Sequence, residues 1–177
     1  MLEEGLALSR PLGLWDEVAI ALQILGANAA YRGDWSMARS YLAESVAVGR
    51  RRGDLAGLVY SLVNLAAEWR EGDLVEAGSL ACEASQAARS IGDDLGTLLV
   101  FVDLAIVAAK SGDARRSGLF WGASERLDEA LGETMWRRER PEYEEQLGEP
   151  GEGFAEGVAE GRRLSVDEAV ALALESG

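Results

Sequence analysis

A two-residue mark, Gly-Asp, returns along this chain: "YRGDW" at 31–35, "RRGDL" at 51–55, "REGDL" at 70–74, "SIGDDL" at 90–95 and "KSGDA" at 110–114. Its glycines fall at 33, 53, 72, 92 and 112, so successive marks lie 19 or 20 residues apart. Self-similarity at a fixed period points to a stacked repeat architecture. The first two marks also spell the adhesion tripeptide Arg-Gly-Asp. Glu71, Ile91 and Ser111 fill the arginine's slot in the other three. What recurs is Gly-Asp alone, so the mark reads as a structural turn.

Each segment between marks reads as a helix. Apolar residues recur at three and four spacing, as in Val18, Leu22, Leu25 and Ala29. Gly can end a helix in the left-handed conformation. The adjacent Asp can cap the next helix by accepting a bond from an unpaired backbone N–H. Asp73 also has Glu76 at capping-box spacing. The marks predict helices near 14–32, 35–52, 55–71, 74–91, 95–111 and 114–131. The apolar run "TLLVFVDLAIVAA" at 97–109 has strand-forming residues, but its phase with the other segments makes it helical.

Alternate segments resemble each other more than neighbours do, giving a helix pair of 39–40 residues as the unit. In the first helix "LQILG" (22–26), "LVNLA" (62–66) and "FVDLA" (101–105) share a register. In the second, Ala38, Ala77 and Ser117 stand four residues after their Asp, where a small residue lets helices approach. Leu65 to Gly72 is one residue shorter than Leu25 to Gly33, so the middle first helix is shorter. These positions resemble the tetratricopeptide repeat in its longer-period variety. The resemblance implies antiparallel helix pairs stacked into a right-handed superhelix whose first helices line a concave face. The expectation is thus an all-α fold: an α-α superhelix over 1–131 and a helical C-terminal cap over 132–177.

"LEEGLALSRPLG" at 2–13 aligns with "LAESVAVGRRRG" at 42–53, the second helix of a pair. The first repeat is therefore expected to be incomplete, as in a piece of a longer array. At the other end, Ser165-Val166-Asp167-Glu168 forms a capping box before "AVALALE". "LFWGASERLDEALG" with Tyr143, Phe154, Glu160-Gly161-Arg162, Leu164-Ser165 and Glu168-Ala169-Val170 resembles the carboxyl-terminal end of large bacterial LuxR-type transcriptional regulators. In that group an ATPase domain precedes tetratricopeptide-like repeats. This chain departs in having ten residues between Tyr143 and Phe154, with "GEPGEG" in place of a helix, and Val158 where the pattern often has Trp.

Composition narrows the chemistry. Asp and Glu number 31 against 17 Lys and Arg, a net charge of −14 that opposes direct nucleic-acid binding. With no histidine, His-dependent zinc, haem and triad chemistry is excluded. Lys110, the only lysine, stands in "AAKSGD" rather than a phosphate loop. Cys82 is the only cysteine and lies in a run of small residues, so it reads as a packing residue. Carboxylate-rich "PEYEEQ" and "LDEALGE" read as solvated helix faces. The chain is therefore expected to be non-catalytic, without cofactor or metal, soluble and cytoplasmic, with no membrane span.

What remains is surface. The register places Ile20, Gln23, Ala27 and Tyr31, then Tyr60, Val63, Ala67 and Arg70, then Leu99, Val102, Ile106 and Lys110 on the concave face. Such a groove suits an extended or helical peptide. The expected function is a protein–protein interaction module of a bacterial signalling or transcriptional regulator. It would bind a protein, a peptide, or a missing N-terminal part of its own chain. Self-association into a homo-oligomer through the uncovered first helix, or a stand-alone adaptor, is the alternative.

Overall fold

The computed structural model describes residues 2–132 and 136–175. Among these residues the backbone forms helices and no strand. In order they are α1 (Leu2–Ser9), α2 (Trp15–Tyr31), α3 (Trp35–Arg52), α4 (Leu55–Trp69) and α5 (Leu74–Ile91). Then come α6 (Asp94–Lys110), α7 (Ala114–Leu131), α8 (Trp136–Leu147), α9 (Phe154–Gly161) and α10 (Val166–Leu174). The six central helices lie within two residues of the bounds that the Gly-Asp marks predict.

The physical reason is visible at each turn. Asp34, Asp54, Asp93 and Asp113 accept from the N–H groups of Met37, Gly57, Gly96 and Arg116, and Asp73 accepts from both Val75 and Glu76. Each such cap is worth about 1 kcal/mol. At four turns the glycine is left-handed, with φ of 75°, 68°, 68° and 81° at Gly33, Gly53, Gly92 and Gly112. There the Asp N–H also reaches back to a carbonyl of the preceding helix, on Ala29, Gly49, Ala88 or Ala108, at 2.9–3.2 Å. Two residues thus close one helix and open the next. Gly72 is the exception. Its φ is not positive, and its N–H bonds Trp69 O at 3.0 Å. α4 correspondingly has 15 residues against 17 for α2 and α6.

Successive helices from α1 to α7 pack on one another, and the alternate helices α2, α4, α6 and α8 also touch. Leu22, Leu62 and Phe101, which open the three matching pentads, are almost wholly buried, as are Ala38, Ala77 and Ser117. On the second-helix side, Arg10 pairs with Glu44 at 2.6 Å and Arg50 with Glu83 at 2.5 Å. Arg89, 39 residues after Arg50, instead pairs with Asp167 at the start of α10. The same arginine slot thus closes helix to helix, and finally helix to tail. These exposed pairs add little energy; they mark register.

The tail wraps the last helix pair. α8 lies on α6, α9 on α7, and α10 on α5 and α7. The α7–α9 contact is made backbone to backbone by two Gly-x-x-x-Gly strips, Gly118/Gly122 and Gly157/Gly161. Gly118 and Gly122 face Phe154 and Val158, while Gly157 and Gly161 face Arg115 and Leu119, so α9 runs parallel to α7. A methyl group at any of the four would overlap a backbone carbonyl. Overpacking of this kind costs about 1–3 kcal/mol or more. We therefore expect Gly161→Ala to lower unfolding stability by at least that amount in urea titration. Gly5→Ala, in an α1 position with nothing within 4 Å, should gain about 0.5–1 kcal/mol. Equal stability of Gly161→Ala and the parent chain would contradict this packing.

Candidate binding face

The first helices α2, α4 and α6 lie side by side, and the twelve residues assigned to one face by register do not share one environment. Ile20 and Tyr31 project into solvent, 58% and 94% exposed, with Ala27 also exposed between them. Tyr60, Val63, Ala67 and Leu99 are half-buried. Gln23 turns into the α2–α4 seam, where its Nε2 donates to Ser61 Oγ at 2.8 Å. Ser61 in turn bonds Ser45, which donates to Ala19 O.

The end of α4 and the third pair differ from a simple open groove. Val102 and Ile106 are wholly buried, Arg70 is 7% exposed, and Lys110 is tied to Glu71 at 2.6 Å. The open strip therefore consists of α2 and α4 residues, to which exposed Ile24 and Asn64 add. α8 sits on α6, with Tyr143 and Leu147 packed against the core that includes Val102 and Ile106. The tail covers what register alone leaves open.

Beneath α8 lies a buried ion pair. Arg70 Nη1 stands 3.0 Å from Asp103 Oδ1, with the two side chains 7% and 3% exposed. That nitrogen lacks hydrogen-bond alignment, so the contact is one of charge; Asp103 Oδ2 has no hydrogen-bond partner either. Burial pushes the Asp103 carboxyl up to about 6, against the opposing pull of Arg70. Burial first, and then the Asp103 charge, push the Tyr143 phenol up to about 12. Nearby, Arg39 lies over the Trp69 ring at 4.7 Å and donates to Glu68 O at 3.4 Å. Glu68 is itself raised by burial, with Oε2 unpartnered.

Asp103, Glu68 and Tyr143 are the members of this region that the register does not assign. For Asp103 the signal is in the sequence: one carboxylate inside "TLLVFVDLAIVAA" must find a cation when that helix is buried. Its partner, Arg70, comes from the one turn whose glycine is not left-handed. The region offers apolar contact with a few polar groups. Compared with protein-family models, with curated proteins and with solved structures, the chain matches none.

The buried pair gives a pH signature. Asp103 has a folded-state value above its ordinary 3.8, so folding favours the protonated form. Its contribution to stability is fully present below pH 3.8 and is lost as pH rises through about 6. Relative to Asp103→Asn, the parent chain should lose stability over that interval and run parallel above it, as read by chemical denaturation at several pH values. A constant difference from pH 4 to 7 would contradict the assignment. Arg70→Ala, which strands the carboxylate, should cost about 3–5 kcal/mol at pH 7.

Proposed function

We propose that the chain is a protein–protein interaction module whose first-helix face binds a peptide or protein partner. The observation that carries this reading is the strip from Ile20 and Tyr31 to Val63 and Ala67. It stays open on α2 and α4 while the same face on α6 already seats a helix. A row of parallel first helices with apolar residues and spaced polar groups is suited to a helix or an extended segment. The partner is another protein, or a further segment of this chain's own polypeptide. The acidic surface disfavours direct contact with nucleic acid. The resemblance to tetratricopeptide arrays and to the ends of LuxR-type regulators supports a place in a bacterial signalling or transcriptional regulator, acting in the cytoplasm without catalysis. Among the described residues no helix is long and apolar enough to cross a membrane.

The test is selection of binders from a displayed peptide library against the folded chain. Val63→Glu should weaken the selected peptides at least tenfold without loss of helicity, and Val75→Glu, 84% exposed on α5, should leave them unchanged. The opposite pattern would overturn the reading. Val102→Glu does not serve here, because Val102 is wholly buried and its substitution tests the core.

A second reading is favoured by one observation. Leu8 and Leu12 are 68% and 71% exposed, whereas Val48 and Ala87, which stand in the register of Leu8 on α3 and α5, are buried. Self-association through these leucines predicts a concentration-dependent mass in sedimentation that Leu8→Glu with Leu12→Glu abolishes. A constant monomer mass at high concentration would overturn it.

A further inference from the structure

α8 is held differently from the rest of the tail. Among its described residues none is buried, whereas Gly157 and Gly161 of α9, and Ala169, Val170 and Ala173 of α10, are. Among its described side chains, those that reach the body of the protein are Arg140, Tyr143 and Leu147, on one helical face at i, i+3 and i+7. Arg140 pairs with Glu125 at 2.6 Å and lies 5.4 Å from the Trp121 ring centre. Tyr143 and Leu147 lie on the core. Beside them a cleft of about 400 Å³ opens between α7, α8 and α9, lined in part by Trp121, Leu147 and Phe154. α8 also contains Pro141, which removes one helix hydrogen bond. It leads into "GEPGEG", whose first and last glycines are left-handed at φ 75° and 88°.

The surface under α8 is made for an occupant. It combines the buried Trp121 ring, the buried Asp103 with its unpartnered Oδ2, and Glu125, whose side chain is 13% exposed. It adjoins the end of α4 through the Arg70–Asp103 pair. We propose that α8 is a displaceable ligand of this face, holding the place of a partner helix with the same three anchors. That partner is an amphipathic helix with a basic residue for Glu125, an aromatic residue three positions on beside Asp103, and an aliphatic residue four further on. Docking it requires α8 to leave, so the occupied face is the closed state of the site. This inference rests on the first-helix face being the binding surface.

The test uses the full chain and a fluorescently labelled synthetic peptide of residues 136–148 as the probe. Tethered in the same molecule, α8 competes at an effective concentration in the millimolar range. The parent chain should therefore bind the peptide weakly. Arg140→Ala, and separately Tyr143→Ala with Leu147→Ala, weaken the resident helix and leave the seat intact. Either variant, shown by circular dichroism to keep its helices, should bind the peptide at least tenfold tighter than the parent chain. Adding Glu125→Arg, which repels the peptide's own Arg140, should remove that gain. Equal binding by parent and variants, or no saturable binding to either variant up to about 1 mM, would overturn the proposal. If library-selected peptides still lose binding to Val63→Glu in that case, the face binds partners but α8 is not its ligand. If they do not, the face itself is the failed assumption.

Discussion

The interhelix turn in which an Asp carboxylate and its own N–H serve two helices at once is the interaction on which this structure depends. An isolated helix leaves N–H groups unpaired at one end and carbonyls unpaired at the other. A tight stack of short helices has no room for long loops to meet those needs. Here Asp54 accepts from Gly57 N–H while its own N–H bonds Gly49 O, and Gly53 supplies the left-handed reversal between them. The same solution recurs at Asp34, Asp93 and Asp113. Because the turn is short, consecutive helices must lie side by side, and alternate helices are brought into contact.

From that geometry follows a division of faces. The second helices carry the arginine clasps, Arg10 to Glu44, Arg50 to Glu83, and Arg89 to Asp167 of α10. The first helices keep their outward side for something else. On α2 and α4 that side is open. On α6 it carries a buried Arg70–Asp103 charge contact and the weakly anchored α8. A buried ion pair that is poorly hydrogen-bonded contributes little to stability beyond the cost of burying it. Its place at the junction of α4, α6 and α8 makes it a fixed polar feature in an otherwise apolar seat.

Much of this was legible in the residues. The Gly-Asp marks placed six helices to within two residues, because turn chemistry is local and each part of it is carried by a named side chain. The small residues Ala38, Ala77 and Ser117 were legible as close contacts for the same reason. Gly72 was not, since nothing local distinguishes its Gly-Asp from the others; the missing residue before it was the only trace. The fates of Val102 and Ile106 were set by α8, a helix far along the chain whose docking no periodicity encodes. The α7–α9 contact could have been read from Gly118-x3-Gly122 and Gly157-x3-Gly161, but its parallel direction depends on the route of the intervening chain. Gln23 shows the same limit, since its amide is claimed by Ser61, 38 residues away.

Hydrogen–deuterium exchange of the full chain, followed during titration with a library-selected peptide, reads the first-helix face and its resident α8 together. Slower exchange is expected in α2 and α4 on binding, together with faster exchange in α8 as that helix leaves its seat, while α3 and α10 stay unchanged. Protection mapping instead to α3, α5 or α10, with α8 unaffected, would contradict that arrangement.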